Sequence, residues 1–302
     1  MVATPNLMTG LVNGLLSIKP LASFAKQKAR QMMIDRAALI GFSWQDMVNN
    51  LRSQDLEAKR TKLENPRLEY PDYYIRPFHA YSDGNLGWDA ASEVEVAAYA
   101  VHSRVWGATN PKGDALLRQS YHDLVKERVQ APKDILDLGC SVGMSTLALA
   151  AIYPDAKITG LDLSPYFLAI ADHNISHSNK SENINLVHAA AESTGLADHS
   201  FDLISIFLVC HELPQGATLN ILKEAKRLLR PQGHLAIMDM NPQSEIYAKM
   251  PPYILTLLKS TEPYLDQYFS LDLESAIASC GFKHITITAN SPRHRTVMAE
   301  AD

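Results

Sequence analysis

Apolar positions along residues 134–302 follow two alternating periods. Short runs such as Ile135-Leu136-x-Leu138 and Phe201-x-Leu203-Ile204-x-Ile206-Phe207 predict buried strands, and apolar residues three and four apart predict the helices between them. The pattern places strands at 134–138, 157–162, 184–188, 201–207, 233–239, 283–289 and 294–299, with helices near 144–152, 165–176, 215–229 and 272–280. Alternation of this kind implies an α/β fold, a doubly wound, mostly parallel sheet with helices on both faces. Ser291-Pro292 leaves too short a turn for a parallel crossover, so the last two strands form an antiparallel hairpin at the C-terminus.

Residues 1–130 hold almost no strand pattern and form an N-terminal, mainly helical and aromatic-rich cap region, against a second domain at 131–302. Residues 1–62 read as helix, with Pro20 as a break. Residues 63–89 are rich in proline and aromatics (Tyr70, Tyr73, Tyr74, Phe78, Tyr81, Trp88), a density that excludes a long helix and suits a segment stapled onto the rest or lining a pocket. Helices follow at about 90–106 and 114–129.

Charge changes this picture at one end. The chain of 302 residues has a net charge of −5, but residues 1–62 carry +5 and the remainder −10. Two roles fit the basic segment: an amphipathic helix giving peripheral membrane contact through residues 7–34, or a helix packed on its own domain with a solvated basic face. The overall negative charge argues against a nucleic-acid partner. Cys140, Cys210 and Cys280 are odd in number and widely spaced, which excludes a CxxC metal or redox site and suits a reducing, cytoplasmic compartment. His173 and His177 have the i,i+4 spacing of metal ligands but lack a third ligand, so no metal is expected. Oligomeric state is not legible.

The chemistry centres on Asp134-Ile-Leu-Asp137-Leu-Gly139-Cys140-Ser141-Val-Gly143-Met144, a strand, a glycine turn and a helix start. Three ligand classes use such a turn. A dinucleotide fingerprint needs glycines where Ser141 and Met144 stand. A serine hydrolase elbow, GxSxG, is matched literally with Ser141 as nucleophile and Asp202 or Asp239 as triad acid, but an elbow follows several strands and none precede this one.

The third class rests on a resemblance. Asp137-x-Gly139-x-x-x-Gly143, Gly160-Leu-Asp162-Leu163-Ser-Pro165, Phe201-Asp202-Leu-Ile and Leu229-Arg-Pro231-x-Gly233 together resemble the ordered motifs of class I S-adenosylmethionine-dependent methyltransferases, over about residues 114–302. The resemblance implies a Rossmann-like domain with S-adenosyl-L-methionine as cofactor. It implies close backbone approach at Gly139, Cys140, Ser141 and Gly143, ribose hydroxyls on Asp162, adenine against Leu163, and Asp137 tied to the turn or to the cofactor's amino group. Phe207 joins this set from the end of the fourth strand. The family's acidic residue after the third strand is absent, since Ala190 stands there, so adenine recognition falls to Ala191 or Glu192. The stretch Arg76–Trp88 resembles uncharacterised methyltransferase-like proteins of cyanobacteria and plastids.

For the acceptor, His211 follows the fourth strand, at the edge where ligands bind, and matches the general base of small-molecule O-methyltransferases, with Glu212 as the neighbouring carboxylate to orient it. Aromatics of the cap region and of 247–268 suit a small apolar or aromatic acceptor, methylated at oxygen. Carbon methylation of a quinone-like ring is the alternative within the class. Outside catalysis, the chain is a cofactor-binding protein that acts through its N-terminal region.

Overall fold

Residues 19–79, 81–179 and 181–302 are described in a computed structural model, in which the predicted alternation is realised. The strands β1 (Asp134–Leu138), β2 (Lys157–Asp162), β3 (Ile184–His188), β4 (Phe201–Phe207), β5 (Leu229–Met240), β6 (Phe282–Ala289) and β7 (His294–Ala301) form one sheet in the order β3-β2-β1-β4-β5-β7-β6. Strands β1 to β5 pair in parallel, and β7 runs antiparallel between β5 and β6. Strand order reverses between β1 and β4, which opens a crevice beyond their C-terminal ends.

Among the described residues, five helices precede β1, α1 (Lys19–Leu39), α2 (Trp44–Arg52), α3 (Leu56–Leu63), α4 (Trp88–His102) and α5 (Gly113–Arg128), and α6 (Met144–Ile152) follows it. They are followed by α7 (Pro165–Ser176), α8 (Gln215–Leu228), α9 (Glu245–Ala248), α10 (Pro252–Thr261), α11 (Leu265–Ser270) and α12 (Leu273–Ser279). Alternating strand residues divide the core. Ile135, Leu203 and Met238 pack with Leu117, Tyr121 and Val125 of α5 and Leu149 of α6, while Leu136, Ile204 and Ile237 pack with Leu222 of α8, Tyr268 of α11 and Ile277 of α12.

Among the stretches that differ from expectation, α4 ends at His102 rather than 106 and β7 runs on to Ala301. Strand β5 begins at Leu229 rather than 233, because Arg230-Pro231-Gln232 continues the strand through an irregular register and a left-handed Gln232 (φ 65°). Residues 1–62, as far as they are described, break into separate helices, capped by the Ser43 and Asp55 side chains. Within 247–268 three short helices form where no periodicity is legible, and Pro252 supplies the fixed φ that starts α10.

Residues 64–79 and 81–87 form a strap. It contacts the C-terminal end of β3 through Asn65, whose N–H donates to His188 Nδ1 (2.8 Å), and the start of α7 through Asn85, whose carbonyl accepts from Ser164 Oγ (2.6 Å). Residues 7–18 of the basic segment lie outside the described residues. Further along it, Arg30 pairs with buried Glu93 and lies 5.8 Å from the Trp44 ring centre. No described helix is long and apolar enough to cross a membrane.

Candidate functional site

The turn after β1 is built by its glycines. Gly139 (φ 74°) and Gly143 (φ 83°) occupy left-handed backbone, and a Cβ on Gly139 would lie 2.6 Å from Val209. Ser141 is also left-handed (φ 50°), and its buried Oγ has no hydrogen-bond partner. Asp137, fully buried, accepts from Ser145 Oγ and Thr146 Oγ1 (2.7 Å each) through Oδ2, which locks the first turn of α6 to β1; its Oδ1 has no partner. Burial pushes its carboxyl above the usual range. The Cys140 thiol is buried and lies 3.8 Å from the Ser141 carbonyl, and its backbone N–H donates to Leu161 O (3.0 Å).

Asp162 ends β2 and ties two segments together. Its Oδ2 accepts from Ser141 N–H and its Oδ1 from Ser164 N–H, both at 2.8 Å. Burial lifts its carboxyl to about 6, against the lowering effect of these donors. His188 is a residue the sequence did not single out. Because Nδ1 accepts from Asn65 N–H, the ring proton lies on Nε2, 3.0 Å from the Leu163 carbonyl. His188 therefore fixes both the strap and the backbone of Leu163. Ala191 is half-buried beyond β3, and the Glu192 carboxylate is taken by the Tyr73 hydroxyl of the strap.

At the end of β4, Phe207 lies beneath the Arg118 guanidinium, 4.5 Å from the ring centre. Arg118 also reaches Met144 Sδ (3.8 Å) and is held by Asp114 (2.9 Å), which in turn pairs with His102 (2.7 Å). This cation beside the turn comes from α5, and nothing in the sequence around Arg118 marks it.

His211 lies in the turn after β4. Asp239 at the end of β5 orients it, with His211 Nδ1 at 2.8 Å from Oδ1 and the His211 backbone N–H donating to Oδ2 at 3.1 Å. Glu212, the sequence neighbour expected in this role, makes no such bond; the partner comes from the adjacent parallel strand. Burial disfavours the imidazolium, but the Asp239 charge and hydrogen bond outweigh it and lift His211 to about 10. Burial raises Glu212 to about 7, against the pull of His79 and His211.

Across from this pair, the strap contributes His79, whose Nε2 is 2.9 Å from Glu262 and 3.9 Å from Glu212. Burial pushes the Tyr74 hydroxyl well above its usual range, and the Asp162 and Glu212 charges push it further.

Other candidates fall away. Asp202 is at the start of β4, the opposite end of the strand from the glycine turn, bonded to Arg230 (2.7 Å) and to the start of β1. Ser141 has no base within reach, which a serine nucleophile requires. The His173 ring at the end of α7 and the ring of its C-cap His177 meet at a tilt (4.2 Å), and no metal-ligand cluster is found among the described residues. An open cavity of about 440 Å³ lined by Tyr153, Pro154 and Asn183 lies at the N-terminal edge of β2 and β3, away from this chemistry.

A family model described as a methyltransferase domain matches residues 135–233. A demethylmenaquinone methyltransferase of Lactobacillus johnsonii is 29% identical over 183 residues, covering 54% of this chain and 73% of that protein. One of Listeria monocytogenes is 30% identical over 113 residues, 37% of this chain, which spans only 46% of that relative's length. An uncharacterised methyltransferase of Synechocystis is 28% identical, over 54% of this chain and 74% of its own length. Among solved structures, a candidate O-methyltransferase of Nostoc punctiforme has a TM-score of 0.54 at 18% identity, over 84% of this chain and 68% of its own. A Haemonchus contortus phosphoethanolamine N-methyltransferase has a TM-score of 0.52 at 13% identity, over 70% and 59%. These two structures share the fold. The matched domain and the motifs in order, on this fold, support an S-adenosylmethionine-dependent methyltransferase of class I.

Proposed function

We propose that this protein transfers a methyl group from S-adenosylmethionine to a small apolar ring that carries an ionisable hydroxyl. The observation that carries the reading is the His211–Asp239 pair beyond β4 and β5, on the same sheet edge as the glycine turn.

The residues fit the cofactor. The unpartnered Asp137 Oδ1 suits its ammonium group, and the unpartnered Ser141 Oγ offers a further polar contact. The Asp162 oxygens each keep a lone pair for the ribose hydroxyls. Leu163 and Ala191 border the adenine, and Arg118 over Phe207 supplies positive charge for the methionyl carboxylate. Glu192, held by Tyr73, acts at one remove by fixing the strap over that site. Bound there, the cofactor supplies an electrophilic methyl on sulfonium, and positioning accounts for much of the rate.

His211 handles the acceptor's charge. Its Nδ1 is spent on Asp239, so a ligand hydroxyl meets Nε2. With His211 lifted to about 10, the resting pair is imidazolium and carboxylate at neutral pH. The reactive complex is then imidazolium beside phenolate, one proton fewer than the resting pair plus a neutral phenol. Glu212, at about 7, is the group tuned to receive that proton. A phenolate spreads its charge over oxygen and ring carbons, so the same pair serves both methylation sites. Oxygen is the first reading; the relatives named for a quinone favour ring carbon as the second.

The test is turnover on a panel of phenols and hydroquinones, with the product's methyl carbon identified by NMR as methoxyl or ring methyl. His211→Ala should cut kcat/KM by about 100-fold or more with cofactor affinity unchanged; a loss under about tenfold would sink the role. The wild-type kcat/KM should rise with pH through about 7 and then level, and Glu212→Gln should remove that inflection. Cofactor binding without turnover on any acceptor would leave a binding protein.

A further inference from the structure

Glu262 follows α10 and is buried, with 8% of its surface exposed. One carboxylate oxygen, Oε1, is 2.9 Å from His79 Nε2; the other, Oε2, is buried without any hydrogen-bond partner. The same His79 nitrogen lies 3.9 Å from Glu212, so the Glu262 carboxylate belongs to the group that surrounds His211. Its negative charge acts on both His211 and Glu212. In that group Asp239 is already spent, on the His211 ring and on the backbone N–H groups of His211 and Met240. Glu262 Oε2 alone is buried and unsatisfied among the described carboxylates there.

The position is built rather than incidental. His79 holds a left-handed backbone (φ 51°) that a non-glycine residue seldom adopts, and its N–H donates to the Thr261 carbonyl (3.2 Å) beside Glu262. The Phe78 ring packs edge-on against His79 at 4.2 Å, and Tyr264, two residues beyond Glu262, meets Tyr73 at 6.2 Å. A strained backbone, an apolar surround and an orphaned carboxylate oxygen together describe half of a polar contact awaiting its donor.

We propose that Glu262, steadied by His79, is a second polar anchor for the acceptor and takes a hydrogen-bond donor, so that the acceptor is a ring bearing two hydroxyl groups. The inference rests on the ring-acceptor reading above. One hydroxyl meets His211 and the other donates to Glu262 Oε2. A ring whose second oxygen is an ether or a carbonyl sets lone pair against lone pair at Glu262 and is rejected. Specificity then comes from a buried polar group that the wrong ring would leave unpaired.

The test uses the full chain saturated with S-adenosylhomocysteine and two probes under anaerobic, reducing conditions: 1,4-dihydroxynaphthalene and 4-methoxy-1-naphthol, with affinities read by calorimetry. The wild type should bind the diol about tenfold or more tightly than the methyl ether. In Glu262→Gln the amide oxygen stays on His79 and an NH2 replaces Oε2, so the preference should fall to about one or invert toward the ether. A structural loss alone would weaken both probes together. Should Glu262→Gln fail to bind S-adenosylhomocysteine, His79→Asn decides, because Asn tolerates the left-handed backbone and leaves Glu262 in place but unsteadied; there the preference should drop severalfold. Equal affinities in the wild type, or a preference untouched by the deciding variant, overturn the proposal while the ring reading stands. If neither probe binds the wild type, the ring reading itself falls and takes this inference with it.

Discussion

Asp162 carries a cost that its ligand can relieve. Burial raises its carboxyl to about 6, so the folded protein favours the protonated form more than the unfolded chain does. That contribution to stability is complete below the unfolded value of about 4 and is lost as pH rises through about 6. In the proposed site, ribose hydroxyls that donate to the ionised carboxylate would reverse the preference. Cofactor affinity, measured by calorimetry, should therefore rise as pH climbs through about 6 and then flatten. Asp162→Asn should flatten the profile and weaken binding by about tenfold or more. A wild-type affinity that ignores pH across this range would remove the carboxylate from the role. At this scale Gly139, Gly143 and Asp162 are legible in sequence because a left-handed turn and a strand-end carboxylate need those residue types. Asp239 is not, because the residue that orients His211 is 28 positions away, brought in by the parallel pairing of β4 with β5.

Among the elements, the strap is tied to the helices on either side of it. Glu93 in α4 is buried at 5% exposure and is shared by Arg30 of α1 and the Tyr81 hydroxyl of the strap (2.7 Å). Glu93→Ala strands a guanidinium and a phenol together. It should lower stability by about 1–3 kcal/mol in urea unfolding and weaken acceptor binding more than cofactor binding. Unchanged stability would mean that the strap is held by its other contacts, such as Asn65 on His188 and Asn85 on Ser164. Strands β1 to β4 and helices α6 and α7 were legible to the residue, since each has a clear period bounded by a turn or cap. Helices α9 and α11 were not, having only four and six residues in which a period could show, nor was α10, which Pro252 starts.

For the whole molecule, ligand and stability are linked. At about 100 times its dissociation constant S-adenosylhomocysteine should add about 2.7 kcal/mol, a rise in melting temperature of roughly 5 °C for a chain of this size. A dinucleotide should add nothing, and an equal shift from NAD would undo the reading of Met144 as the residue that closes that site. The chain by itself determined the sheet, its hairpin and the cofactor turn, because periodicity, glycine and proline chemistry act over a few residues. Tertiary structure decided everything that joins distant segments: Asp239 on His211, His188 between the strap and Leu163, Arg118 over Phe207, and His79 on Glu262. Burial then set the charges, since the same histidine and carboxylates would titrate ordinarily in water and are shifted only where the fold removes solvent and supplies a partner.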